Sequence, residues 1–180
     1  MDSKKAAKIT TLCIAVVSMI LVVIARGEGQ GEKPLFDGSL AILKYNWSSV
    51  GIYKHCEIFN RLVFHLFHAN IFHAILNVWC LLSVAFLYNI TLTRVIIAFI
   101  IASLTPMCCL SATPTVGLSA MLFSLFASLS FEVKRKLYYQ AWMIAYIAIG
   151  FCFPNTNALI HLYAYTAGFA LALLNKPFKR

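Results

Sequence analysis

Long runs without charged residues alternate with short basic or glycine-rich segments along this chain of 180 residues. The first run covers residues 9–25 and follows Lys4, Lys5 and Lys8. Its 17 residues exceed the apolar region of a signal peptide, which has about 7–15 residues. The run therefore predicts a retained first transmembrane helix, and a cleaved signal peptide is the alternative.

The remaining apolar runs predict five more helices. Residues 62–93 lack Asp, Glu, Lys and Arg and fit one helix at 67–88. Two later runs, 95–131 and 137–175, are too long for a single span of about 20 residues. Turn-forming residues interrupt each run: Pro106, Pro114 and Gly117 in one, and Pro154-Asn155-Thr156-Asn157 in the other. Both runs therefore predict helical hairpins, with helices at 93–109, 116–131, 137–153 and 158–174.

The segment between the first two helices, residues 26–61, is the one long polar stretch of the sequence. Its glycines and Pro34 argue against a continuous helix. Its aromatic residues Tyr45, Trp47 and Tyr53 favour the membrane–water interface. We therefore expect a first loop that lies in the interface, with some short helix.

The composition indicates a membrane protein. Hydrophobic residues make up 61% of the chain and charged residues 12%, against roughly 45–50% and about 25% in soluble domains. The predicted fold class is all-α, a polytopic bundle of six transmembrane helices that forms one membrane domain over residues 1–180. A net charge of +9 would suggest nucleic acid binding in a soluble protein, but here the basic residues flank apolar runs. The lipid bilayer, and not nucleic acid, is therefore the expected partner.

The basic residues also predict the orientation. With the N-terminus inside, ten lysines and arginines lie in inside segments and five lie outside, all of them in the first loop. Basic residues beside membrane helices favour the cytoplasmic side. Both termini are therefore expected in the cytoplasm.

Cysteines and histidines give no metal-site pattern. None of the six cysteines forms a CxxC pair, so neither a zinc site nor a disulfide framework is indicated. Because five of them lie in or beside apolar runs, we expect small core side chains. The spacing of His68 and His73 is unusual for metal ligands, and no HExxH motif occurs. We expect no metal.

Two polar side chains lie in apolar runs, where a hydroxyl and an imidazole are costly to bury. Ser119 opens the fourth predicted helix, and His161 lies about one turn into the sixth. The predicted topology places both in the outer half of the bilayer, at the depth of Asn77. All six carboxylates lie outside the helices near this depth. A nucleophilic site here would therefore be a Ser-His dyad, with the histidine as base, and not a triad.

An acyl-transfer site also needs donors for the developing oxyanion. The free backbone N–H of Ser119 is one candidate, and His73 and Asn77 share a face of the second helix at spacing four. These residues also have ordinary interpretations. Asn77 could bond a neighbouring helix, His161 could be structural or relay protons, and His65 and His68 could be interfacial residues.

Small residues favour close packing of the fourth and sixth helices. They recur at spacing four on both helices: Ala120, Ser124 and Ser128 on one, and Ala164, Gly168 and Ala172 on the other. Close packing there would bring Ser119 and His161 within reach of each other. General packing of membrane helices explains the pattern equally well.

Taken together, these motifs resemble the rhomboid family of intramembrane serine proteases. Residues 68–77 (HANIFHAILN) resemble the family's HxxxxHxxxN segment, and residues 117–120 (GLSA) resemble its GxSx motif. His161 with Gly168 resembles its HxxGxxxG pattern. The three motifs occur in the family's order, and six helices with a long first loop match its basic core.

The resemblance implies Ser119 as nucleophile, His161 as general base, and an oxyanion hole formed by His73, Asn77 and the Ser119 N–H. The family cleaves transmembrane substrate proteins through an acyl-enzyme, without a metal or cofactor. The resemblance also implies a multi-pass protein of the bacterial cytoplasmic membrane. A catalytically inactive relative that binds membrane clients is the main alternative, and a small transporter with a histidine relay is another.

Some positions depart from the family pattern. Ala164 replaces a usual glycine, which adds a methyl group at a close helix contact. Phe123 replaces a tyrosine that often stacks on the histidine, so the stacking is kept and a hydroxyl is lost. Residues 59–61 (Phe-Asn-Arg) replace a usual Trp-Arg pair, which affects the loop but not the dyad. Gly117 matches the pattern and is expected to allow close approach of backbone and substrate.

Overall fold

The structure is a computed structural model that describes residues 2–28, 39–40, 42–88, 90–153 and 156–174. This part of the chain is mostly helical, which confirms the coarse prediction of an all-α class. It contains eight α-helices, with these bounds: α1 Ser3–Ile24, α2 Trp47–Val50, α3 Ile58–Val63, α4 Ile71–Leu87, α5 Leu92–Ser103, α6 Ser119–Ser128, α7 Lys136–Gly150 and α8 Ala158–Leu174.

A small parallel sheet was not predicted. Strand β1, Ala25–Glu28, pairs with β2, Leu43–Asn46, and an ion pair of 2.9 Å joins Lys44 to Glu28 across it. The first loop therefore contains strand β2 as well as short helices. The predicted first helix ends at Ile24, because the backbone of Ala25 is already extended. Strand pairing over this sequence distance leaves no local periodicity for a sequence pattern to detect.

The predicted helix 67–88 is wrong at its start. Helix α3 and a 3-10 turn, Phe64–Leu66, precede α4 at an angle of 86°. The backbone between them is extended, with ψ of 147° at Phe67 and 170° at Asn70. The Asn70 side chain accepts a hydrogen bond from the His73 backbone N–H at 2.9 Å and caps α4.

Other helix ends differ from the predictions for local reasons. Helix α1 begins at Ser3 and not at residue 9, because the Asp2 side chain caps it. Helix α5 ends at Ser103 and not at residue 109. Pro106 follows closely, and a proline disfavours helical backbone at the residue before it, here Thr105. Helix α6 covers only part of 116–131, because Gly117 has a φ of 127°. Helix α7 stops short of residue 153.

Helix α6 lies at the centre of the fold. It packs against α8, α5 and α4, and five of its apolar side chains are buried: Ala120, Met121, Leu122, Leu125 and Ala127. Its 10 residues make it about 15 Å long. Its first residue, Ser119, is half-buried between the buried residues Leu118 and Ala120.

Contacts between helix ends define the orientation of the helices. Arg94, at the start of α5, forms an ion pair with Glu132, just beyond the end of α6. The Leu92 backbone N–H donates to the Ser3 hydroxyl at 3.2 Å. The starts of α1 and α5 and the end of α6 therefore share one end of the molecule, and α5 and α6 form an antiparallel hairpin.

The lengths of the described helices support fewer membrane spans than the six predicted. Among the described residues, α1 is long and apolar enough to cross a membrane, and residues 58–66 with α4 would form a second, broken span. Helices α5, α6 and α8 are apolar but shorter. Large apolar or aromatic side chains are nevertheless exposed on the outer helices, including Leu12, Val16 and Ile20 on α1, Phe72, Leu76 and Trp79 on α4, and Tyr138, Trp142 and Ile144 on α7.

Candidate active site

The Ser119 side chain meets His161 between two helices. Ser119 is the first residue of α6, and His161 lies in the first turn of α8. His161 Nε2 is 2.8 Å from Ser119 Oγ, which is hydrogen-bond distance. Nε2 accepts the hydroxyl proton when the neutral ring carries its own proton on Nδ1. The structure therefore brings together the two residues that the sequence predicts as a dyad.

The Phe123 ring holds the His161 imidazole from one face. The two rings are stacked, with centroids 4.6 Å apart and planes 22° from parallel. Phe123 lies four residues after Ser119, so both side chains project from the same face of α6. The stacking predicted for this position is present without a tyrosine hydroxyl.

Close packing of α6 and α8 sets the distance between the two side chains. A methyl group added to Gly168 would lie 2.6 Å from the Ser124 carbonyl oxygen and 3.0 Å from the Ala127 side chain. Ala164, one turn earlier on α8, is completely buried. Its methyl group is accommodated, since the Ser119–His161 hydrogen bond is formed.

Residues 115–118, here called the serine strap, lead into Ser119 and are held by the first loop. Ile52 and Thr115 exchange two backbone hydrogen bonds, of 2.9 and 3.0 Å. The Gly117 N–H donates to the Phe64 carbonyl at 2.9 Å. Ile52 of the first loop and Phe64 of the 3-10 turn therefore fix the backbone directly before the candidate nucleophile.

His68 contacts the serine strap through its side chain. It is buried, and its Nε2 accepts a hydrogen bond from the Leu118 backbone N–H at 3.4 Å. Its ring also packs edge-on against His73, with centroids 5.2 Å apart. His68 is therefore enclosed by the protein, and so is His65, whose Nε2 lies 3.2 Å from the Ser103 hydroxyl.

His73 and Asn77 converge on Gly117. A methyl group on Gly117 would lie 2.9 Å from His73 Cε1, 3.2 Å from His73 Nε2 and 3.6 Å from Asn77 Nδ2. The φ of 127° at Gly117 is also one that other residues rarely adopt. Glycine is needed here on both counts, and the two side-chain nitrogens lie next to Gly117, two residues before Ser119.

Asn77 carries an unused donor. Its side chain is buried, and its Nδ2 has no hydrogen-bond partner among the described residues. A buried donor without a partner is unusual and calls for an explanation, such as a role in binding a reacting group. Among the described residues, Asn77 Nδ2 donates no hydrogen bond to a neighbouring helix, so the structure does not support a role for this donor in joining helices.

Three of the four carboxylates of the described residues have roles elsewhere: Asp2 caps α1, Glu28 pairs with Lys44, and Glu132 pairs with Arg94. The fourth, Glu57, is exposed just before α3. No described carboxylate accepts a hydrogen bond from His161, so in this part of the chain the arrangement is a dyad and not a triad.

Asn60 and Arg61 make hydrogen bonds that stabilise the first loop. Asn60 is buried, and its Nδ2 donates to the carbonyls of Ser48 at 2.7 Å and Gly51 at 2.9 Å. Arg61 donates to the carbonyl of Thr105 at 2.7 Å, beyond the end of α5. These bonds tie the first loop together next to the Ile52–Thr115 pairing.

Two contributors to the site were missed from the sequence. His68 was not assigned to the strap, and no local pattern predicts that its side chain reaches a residue fifty positions away. Asn70 was not assigned as a cap. An asparagine three residues before His73 is a recognisable N-cap signal and could have been used.

Searches with models of known protein families and against curated proteins find no match to this chain.

Proposed function

We propose that this chain is an intramembrane serine endopeptidase of the rhomboid type, which cleaves transmembrane substrate proteins. The observation that carries the proposal is the distance of 2.8 Å between Ser119 Oγ and His161 Nε2. A serine becomes an effective nucleophile when an adjacent base takes its proton. The pair is joined across 42 residues of sequence by two helices whose close packing depends on Gly168.

The first half of the reaction forms an acyl-enzyme. His161 Nε2 accepts the hydroxyl proton while Ser119 Oγ attacks the carbonyl carbon of the scissile peptide. His161 then gives this proton to the leaving amine, and the C–N bond breaks. In the second half, His161 takes a proton from water while the water oxygen attacks the ester carbon. The bond between this carbon and Ser119 Oγ then breaks, the new carboxyl terminus leaves, and His161 returns the proton to Ser119 Oγ.

The oxyanion hole would consist of the Ser119 backbone N–H, Asn77 Nδ2 and His73 Nε2. The first N–H groups of a helix have no partner within the helix, so that of Ser119 is available. Asn77 Nδ2 has no partner among the described residues. Both side-chain nitrogens surround Gly117, two residues before the nucleophile. Donors fixed before the substrate binds stabilise the developing negative charge without reorganisation.

A membrane setting with six spans is part of the proposal. Soluble proteins rarely expose large contiguous apolar patches, whereas α1, α4 and α7 expose many large apolar side chains. A short helix can start within the bilayer when its beginning is enclosed by protein or lines a wet cavity. At about 15 Å, α6 would span roughly half of a 30 Å hydrocarbon layer, which supports a position of Ser119 below the membrane surface.

The test is cleavage of a model transmembrane substrate by the purified chain in proteoliposomes. The wild type is expected to cleave it, and Ser119→Ala and His161→Ala are each expected to lower the rate by roughly 10³-fold or more. Retained cleavage in either variant would sink the proposal.

Two matched substitutions control for general damage. Ser128 lies on the same helix and bonds to the Leu125 carbonyl of that helix, so Ser128→Ala should keep activity. His55 is exposed in the first loop, so His55→Ala should also keep it. A folded wild type that binds the substrate without cleaving it would instead favour the inactive client-binding alternative.

A further inference from the structure

Two adjacent cysteines lie on the connection between α5 and α6. Cys108 and Cys109 belong to the 3-10 turn Met107–Cys109, and their Sγ atoms are 3.9 Å apart. Cys108 is exposed, Cys109 is partly buried, and both are free thiols. The expectation that the cysteines are core side chains is wrong for Cys13, Cys108 and Cys152, which are exposed, and Cys109 is not fully buried either. Core packing therefore does not explain the pair.

The backbone of this turn is well held. The Cys109 N–H donates to the Pro106 carbonyl at 2.9 Å, and the Leu110 N–H donates to the Met107 carbonyl at 3.1 Å. Helix α8 packs against the turn. The two thiols are thus presented on a fixed backbone and do not need a rearrangement to face each other.

The separation of the sulfurs fits a shared ion. Two thiolates bound at about 2.3 Å to one tetrahedral ion lie about 3.8 Å apart. Thiolate ligands select soft cations over Mg²⁺ or Ca²⁺. We propose that Cys108 and Cys109 form a chelating site for one soft, thiophilic cation on the α5–α6 connection.

Binding would exchange protons for the cation. A divalent cation displaces one proton from each thiol and forms two metal–sulfur bonds, with no change of oxidation state. The described residues contain no cluster of three or more potential ligands, so solvent completes the coordination and binding is of moderate strength.

The test is titration of the purified full-length chain with Cd²⁺ in a phosphine reductant, followed by sulfur-to-cadmium charge-transfer absorption. The wild type should bind one Cd²⁺ with this absorption. Cys108→Ser and Cys109→Ser should each weaken binding by about tenfold or more, because a single thiolate remains. Helical circular dichroism should be unchanged, and Cys108→Ala repeats the test without a new hydroxyl.

The other exposed cysteines provide matched controls. Cys13→Ser and Cys152→Ser should bind Cd²⁺ like the wild type. The proposal is overturned if the wild type shows no charge-transfer absorption, or if the Cys108 and Cys109 variants bind as tightly as it does. Ser119→Ala should bind Cd²⁺ normally, so this result stands or falls separately from the proposed protease activity.

Discussion

The reactivity assigned to Ser119 depends on the few residues that surround it. His161 is within hydrogen-bond distance, and the Phe123 ring limits how the imidazole can turn. Gly117 leaves room for His73 and Asn77 beside the backbone that leads to the serine. Each of these contacts depends on the shape or conformation of one residue, so single substitutions should separate their contributions.

Asn77→Ala should lower the turnover rate without loss of stability. The Asn77 Nδ2 has no partner among the described residues, so its removal breaks no hydrogen bond there in the free protein. Loss of one oxyanion donor typically costs about 10²–10³ in kcat. The measurement is kcat and KM for a transmembrane substrate, with the thermal unfolding midpoint recorded in parallel.

The expected pattern is a lower kcat, a nearly constant KM and an unchanged midpoint. A midpoint that falls together with the rate would mean that Asn77 holds the fold and does not bind the oxyanion. Asn60→Ala provides the contrast, because Asn60 makes two hydrogen bonds within the first loop and its loss should lower stability.

Among the contacts between helices, the one between α6 and α8 sets the distance between Ser119 and His161. Gly168→Val should separate the two helices, since even one methyl group at this position would lie 2.6 Å from the Ser124 carbonyl oxygen. Overpacking of this kind costs about 1–3 kcal/mol. We expect a lower unfolding midpoint and cleavage reduced by at least about tenfold, because the dyad depends on this spacing.

The matched control is Thr166→Val, on the same helix but exposed. Its hydroxyl bonds to the Leu162 carbonyl within α8, so its loss should leave cleavage nearly intact. Equal activity in the Gly168 and Thr166 variants would show that the interhelical distance does not control the dyad.

Sequence patterns located the helices better than their ends. The apolar runs and the interrupting prolines indicate α5 and α6 as a hairpin, because these signals are local. The start of α4 at Ile71 depends on the cap at Asn70 and on extended backbone before it, and hydrophobicity alone does not show either. The pairing of β1 with β2 connects distant residues and left no periodic signal.

The sequence predicted which residues belong to the candidate site, but not the tertiary contacts that hold them in place. Ser119 and His161 stood out because polar groups are rare in apolar runs. The support from His68 and from the Ile52–Thr115 pairing depends on tertiary contacts between segments that are far apart in sequence. No spacing rule along the chain encodes such contacts.

At the scale of the whole molecule, the proposed topology places the α5–α6 connection outside and the α6–α7 connection inside. Arg94 and Glu132 pair at the inner end, whereas residues 111–115 lie beyond the opposite end of α5. In a background in which the native cysteines are replaced by serine, Thr113→Cys should react with a membrane-impermeant thiol reagent in intact cells. Lys134→Cys should react only after permeabilisation. Equal reaction at both positions would contradict the orientation.

Ser119 is proposed to be an activated nucleophile, and a fluorophosphonate probe reports this property by covalent labelling. The detergent-solubilised wild type should be labelled covalently, whereas Ser119→Ala, His161→Ala and the heat-denatured wild type should not, because only the assembled dyad activates a serine. Labelling of Ser119→Ala equal to that of the wild type, or no labelling of the folded wild type, would show that Ser119 is not an activated nucleophile.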